Sequence, residues 1–280
     1  MSARAKEVPR RVQDPAFAPS FHHYVPPKPL AEFVGLFRYA RGHTSARSTE
    51  RVLPTGSVEL VIKLGSGKTS HSTVAGPRSK SFLIERADVD ELLGVHFLPG
   101  GAFPFLDFPY ADLHNRAITL ADLCGEARAA RVLCELHEAA SPRAKYAVLE
   151  RWLVSIAARP LRQHRAVAFA VAEFQRDPVS RSSASVADSV GLSQGRFIRA
   201  FRDGVGLTPK LFCRVQRFQQ VIQRVVHADA RAVDWLDVAI SAGYFDQSHF
   251  IHDFQEFSGV TPTEYLAMRT AAPNHLHVGD

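Results

Sequence analysis

Residues 185–209, SVADSVGLSQGRFIRAFRDGVGLTP, are echoed by residues 237–262, DVAISAGYFDQSHFIHDFQEFSGVTP, and the reading of this pair decides the fold of the C-terminal half. Ala187, Gly191, Phe197, Phe201, Gly206, Thr208 and Pro209 recur as Ala239, Gly243, Phe250, Phe254, Gly259, Thr261 and Pro262. The offset is 52 from Ala187 to Ala239 and 53 from Phe197 to Phe250, so the second copy carries one extra residue in its turn. In the first copy, Ser185 and Asp188 have the spacing of a capping box, which predicts a short helix starting there. Gly191 supplies the positive φ that ends that helix, and Ser193 can cap the next one. On that second helix Phe197 and Phe201, four residues apart, face a core. Gly195, Arg196, Arg199 and Arg202 then fall on the outward face. In the second copy Phe250, Phe254 and Phe257 form the buried stripe. Ser248, His249 and His252 point away from it, with Gln247 at its margin. Thr261 and Glu264 make another capping box, opening a final short helix.

Between the copies, Thr208-Pro209 begins a helix that runs to about Val226. Its length is roughly 27 Å at ~1.5 Å per residue. Successive major-groove faces lie about 34 Å apart, so a stiff connector of this size can present two helices to one side of a duplex. Arginine pairs bidentately with guanine or neutralises phosphate, and glutamine can read adenine through two bonds. Arg214, Arg217 and Arg224 line the connector, and with Arg181, Arg196, Arg199, Arg202 and Lys210 they give this stretch a net excess of positive charge. The second copy is acidic by composition. The first unit is therefore expected to supply most of the electrostatic grip.

These residues, with Asp246 to Phe254 and Gly259 to Pro262, resemble the DNA-binding domain of the AraC/XylS regulators over roughly residues 160–270. The resemblance implies a seven-helix domain that binds double-stranded DNA as two helix-turn-helix units. It carries base-reading positions onto Gly195, Arg196 and Arg199, and onto Gln247, Ser248, His249 and His252. Two positions depart from the common pattern. Gly195 has no side chain to reach a base, and His252 stands where many members carry arginine.

The rest of the chain bounds this reading. Its 280 residues suit two domains, with 46% hydrophobic residues to build cores and a formal charge of +6. Residues 1–20, broken by Pro9, Pro15 and Pro19, read as a flexible arm. Residues 21–158 read as a sensory or dimerisation domain, β-rich at first and helical at its end. Strands are expected at 58–64, 81–84 and 92–98, between turns at Leu53-Pro54-Thr55-Gly56, Gly65-Ser66-Gly67 and Gly76-Pro77. Helices are expected over 120–139, after Ser141-Pro142, and from Arg162 to Gln175. Residues 271–280 read as a flexible tail. The fold class is α+β: a β-rich N-terminal domain followed by helices, then an all-α domain of two helix-turn-helix units joined by a long linker helix.

Val52 to Leu60, Gly76-Pro77-Arg78 and Gly94 to Gly101 resemble, more loosely, an uncharacterised domain found fused to such regulators. That resemblance implies signal sensing or subunit pairing and names no ligand. Three scattered cysteines without a CxxC pair, and no apolar run long enough for export or a membrane span, point to a cytoplasmic protein. No paired-carboxylate or Ser-His-Asp arrangement can be singled out, and His22-His23 reads as loop. His249 and His252 are spaced as metal ligands but lack a visible third. Glu59 and His96 read as polar strand residues. The reading is a sequence-specific regulator with no catalysis and no cofactor; a small-molecule effector, RNA polymerase and a second copy of the chain are the candidate partners. The alternative is a metal- or ligand-dependent N-terminal enzyme that uses the helix-turn-helix domain for targeting.

Overall fold

The computed structural model describes residues 20–43, 48–65, 70–86, 89–106, 108–157, 161, 164–270 and 272–278. Its first half holds β1 (Ser20–Tyr24), β2 (Val34–His43), β3 (Ser48–Val52), β4 (Glu59–Leu64), β5 (His71–Ala75), β6 (Phe82–Arg86), β7 (Val89–Phe97) and β8 (Ala117–Thr119). Six of these form an antiparallel sheet in the order β1-β2-β7-β4-β5-β8. β4 shows why: Leu60, Ile62 and Leu64 are buried, while Glu59, Val61 and Lys63 alternate onto the less buried face. The expected strands at 58–64, 81–84 and 92–98 correspond to β4, β6 and β7. His22-His23, expected in a loop, lies in β1 instead, paired with Tyr39 and Arg38 of β2. Backbone pairing places this strand, and the Tyr146 hydroxyl donates to the His22 carbonyl behind it at 2.8 Å. The proposed arm falls outside the described residues except for Ser20.

Three helices cover the apolar face: α1 (Leu120–Cys124), α2 (Glu126–Glu138) and α3 (Pro142–Ile156). The single helix expected over 120–139 breaks at Gly125, whose φ of +86° no continuous helix accommodates. Ser141 caps α3 by accepting from the Ala144 N–H. Val148, Leu149, Trp152 and Leu153 are buried with Phe37, Leu60 and Phe97, so the α3 stripe serves internal packing.

The second half is helical: α4 (Arg165–Arg176), α5 (Ser183–Ser189), α6 (Gln194–Val205), α7 (Pro209–Val225), α8 (Trp235–Ser241), α9 (Gln247–Ser258) and α10 (Pro262–Met268). Two cores result. Val167, Phe174, Phe197, Phe201 and Phe212 fill one, and Phe218, Phe250, Phe254, Phe257 and Tyr265 fill the other. α7 belongs to both, contributing Phe212 to the first and Phe218 to the second.

The tail corrects an expectation. His275–Val278 is strand β9, paired with β3 in a second sheet of order β6-β3-β9. Only Leu276 of this strand is fully buried, which is too little alternation to read from sequence. Leu276 and Leu53 share a core with Phe218 and Phe254, so the two halves of the chain are packed together. Gln219 of α7 donates to the Pro54 carbonyl at 2.8 Å and to Asn274 at 2.9 Å. Gly206 sits so close to Pro77 and the Tyr110 carbonyl that a Cβ would lie 2.4 and 2.7 Å from them.

Candidate nucleic-acid interface

The first unit is α5, a turn, and α6. α5 begins earlier than the Ser185 capping box suggested: Ser182 is its N-cap and accepts from the Ser185 N–H at 3.0 Å. Gly191 (φ +69°) turns the chain. Ser193 is the N-cap residue of α6, although its side chain makes no capping bond. Phe197 and Phe201 lie under α6 against Phe174. Gly195, Arg196, Arg199 and Arg202 are all exposed on its other face. Arg202, at the far end, is near enough to His114 of the first domain to help depress that imidazole's pKa, an effect led by burial.

The second unit is α8, a turn, and α9. Asp234 caps α8 through the Leu236 and Asp237 N–H groups. Gly243 (φ +75°) turns the chain against Val179. Asp246 caps α9, accepting from the His249 N–H at 2.7 Å. Phe250, Phe254 and Phe257 are buried, and Gln247, Ser248, His249 and His252 are exposed. The capping box of Thr261 and Glu264 opens α10 as expected.

The connector departs from its expected role. Thr208 caps α7 through the Leu211 N–H, and the helix spans residues 209–225. Its arginines, however, turn inward to the second unit. Arg214 bonds Asp253 at 2.7 Å and Glu256 at 2.6 Å, and lies 5.0 Å from the Phe257 ring centroid. Arg217 lies over the Tyr244 ring and donates to the Gly243 carbonyl. Arg224 bonds Asp237 at 2.5 Å and Ser241. Burial pushes the Tyr244 phenol up to about 12. Part of the acidic composition of the second unit is thus matched by the connector: Asp237, Asp253 and Glu256 answer Arg224 and Arg214. Arg181 is likewise paired, with Glu173 at 3.0 Å. Among the described residues, Arg196, Arg199, Arg202 and Lys210 are the cations of this stretch that are exposed and make no ion pair.

His252, Asp253 and Glu256 bring ligand atoms within 4.8 Å of one another, a different set from the expected His249–His252 pair. His249 is not among them. Both carboxylates are already compensated by Arg214, which explains the cluster without a cation. In the first domain Glu59 accepts from Arg38 at 2.8 Å and bonds His96 Nδ1 at 2.9 Å, an ionic cluster across three adjacent strands. Burial pushes the Glu59 carboxyl upward, but Arg38 and the His96 hydrogen bond outweigh it and hold the group at about 2.

Residues 186–268 match a helix-turn-helix domain family, and residues 22–119 match a domain of unknown function (DUF6597). The C-terminal domain, with its two helix-turn-helix units, contains the stretch that matches the helix-turn-helix family. It follows a first domain that matches a family of unknown function. No curated protein matches the chain. Solved structures with some likeness include the C-terminal domain of AraT, a response regulator from Geobacillus stearothermophilus, at 19% identity, covering 39% of this chain and 89% of that one, with a TM-score of 0.35. A DNA-binding transcriptional dual regulator from Escherichia coli K-12 shows 21% identity over 39% and 96%, with a TM-score of 0.33. ToxT from Vibrio cholerae O395 shows 11% identity over 86% and 94%, with a TM-score of 0.41. Among the described residues no helix is long and apolar enough to cross a membrane.

Proposed function

We propose that the chain is a sequence-specific regulator of transcription that lays α6 and α9 into adjacent major-groove segments of double-stranded DNA. One observation carries this reading. Two helices, each backed by phenylalanines, expose Arg196 and Arg199 on one and Gln247, Ser248, His249 and His252 on the other, and both are packed on α7. Arg196 and Arg199 supply the principal charge contacts, Arg202 a contact at the end nearest the first domain, and Gly195 lets the backbone approach closely. Asp237, Asp253 and Glu256 of the second unit are paired with arginines of α7, which lowers the repulsion its composition would give toward phosphate. The first domain, over residues 21–158, modulates binding, because Leu53 and the Pro54 carbonyl reach α7 while Pro77 and Tyr110 press on the end of α6. It is where an effector or a second copy of the chain would act, with RNA polymerase the downstream partner.

The test is selection of bound duplexes from random DNA, followed by affinity measurements across a salt series. Arg199→Ala should cost ~1–3 kcal/mol and relax one base position if the residue reads a base. A loss spread evenly over all sequences would make it a phosphate anchor instead. Failure to enrich any sequence would sink the reading. An N-terminal metal enzyme is not favoured by the site: His96 is bonded to Glu59, which is already ion-paired with Arg38.

A further inference from the structure

The two turns are not equivalent, and the residue that distinguishes them is Phe245. Leu192 donates its N–H to the Ala187 carbonyl at 3.0 Å, and Tyr244 donates to the Ala239 carbonyl at the same distance. These two residues therefore occupy the same place in their units. Ser193 follows Leu192 directly as the N-cap of α6, whereas Phe245 stands between Tyr244 and Asp246, the N-cap of α9. The extra residue of the second copy is Phe245. It is 91% exposed, the most exposed of the large hydrophobic side chains described.

Its backbone is fixed from both sides. Tyr244 is buried against Phe250 and His249 with Arg217 over its ring, and Asp246 is locked to the His249 N–H. The side chain therefore projects from a rigid mount, next to Gln247 and Ser248 at the start of the reading helix. The first residues of such a helix are those that meet base edges. The apolar feature of a major-groove edge is the thymine 5-methyl group, and an aromatic ring there loses water-exposed surface on contact.

We infer that Phe245 is a specificity-determining residue that packs on a thymine methyl group in the half-site read by α9. This rests on the DNA-binding reading above. It assigns the second unit an apolar contact, where the first unit relies on arginine.

The experiment uses the full chain and its selected duplex, with each thymine replaced in turn by deoxyuridine, which lacks only the methyl group. One replacement in the α9 half-site should weaken the wild-type protein roughly fourfold, the worth of one buried methyl. Phe245→Ala should bind the thymine duplex more weakly and be indifferent to that same replacement, while Phe245→Leu keeps part of the sensitivity. Because the ring is exposed, both variants should melt with the wild type. If the wild type selects a sequence and Arg199→Ala weakens it, yet no deoxyuridine replacement distinguishes wild type from Phe245→Ala, this inference is overturned and the DNA-binding reading stands. Normal DNA affinity with loss of transcription output in Phe245→Ala would overturn it in favour of a protein contact. If no sequence is selected at all, the underlying reading fails first.

Discussion

Arg214 of the linker helix α7 holds Asp253 of α9 through a 2.7 Å ion pair in which the aspartate side chain is only 3% exposed. A charge buried so deeply depends on its partner, because desolvation of an unpaired carboxylate is costly. The pair therefore ties α9 to α7 through a buried charge. Glu256, at the rim, shares the same guanidinium but stays in contact with water.

Arg214→Ala should accordingly destabilise the protein by about 3–5 kcal/mol, the range for stranding one partner of a buried pair. Glu256→Gln should cost no more than about 1 kcal/mol, as for an exposed pair. Urea denaturation of the two variants checks the contrast, and equal losses would contradict the assignment of Asp253 as the brace.

Phosphate contacts should be carried by the unpaired cations of α6. Arg196→Ala should lower the slope of log affinity against log salt by about 1. Arg224→Ala should leave the slope unchanged, because Arg224 is spent on Asp237 and Ser241. Anisotropy titrations at several salt concentrations distinguish the two.

Glu59 gives a pH signature. Its folded carboxyl is held at about 2, below an ordinary value of 4.5, so its stabilising contribution is complete above that ordinary value and is lost as pH falls through about 2. Glu59→Gln should remove roughly 2–3 kcal/mol of this contribution at neutral pH and flatten the acid limb of the stability curve between about pH 5 and 2. Thermal melts across that window provide the measurement; parallel curves for the variant and wild type would exclude the role.

At the junction of the halves, Gly206→Ala should be strongly unfavourable. The φ of +85° strains any side chain, and the new methyl would collide with Pro77 and Tyr110. Gly195→Ala, in a helix with open space around it, should be neutral or stabilising by up to about 1 kcal/mol. Comparing the two in one unfolding assay, with limited proteolysis to report separation of the halves, tests whether this contact holds them together.

Leu276→Ala should cost about 2–4 kcal/mol, the range for emptying a buried leucine site. A flexible tail would give no change in the melting curve.

The sequence by itself determined the double helix-turn-helix: glycines at the turns, Thr-Pro starts, and phenylalanines spaced to bury one face are local signals, set by dihedral preference and helical period. Those signals also fixed which faces of α6 and α9 point outward, so Gly195, Arg196, Arg199, Arg202, Gln247, Ser248, His249 and His252 were all legible as exposed. Only the tertiary structure decided what the charges do. Arg196 and Arg214 are indistinguishable in a sequence, yet one faces water and the other meets Asp253, 39 residues away. It likewise decided that residues 275–278 close a sheet begun at residue 48, and that Phe245 is the inserted residue. Those facts depend on groups distant in the chain that meet only after the halves have packed, and local pattern carries no record of such partners.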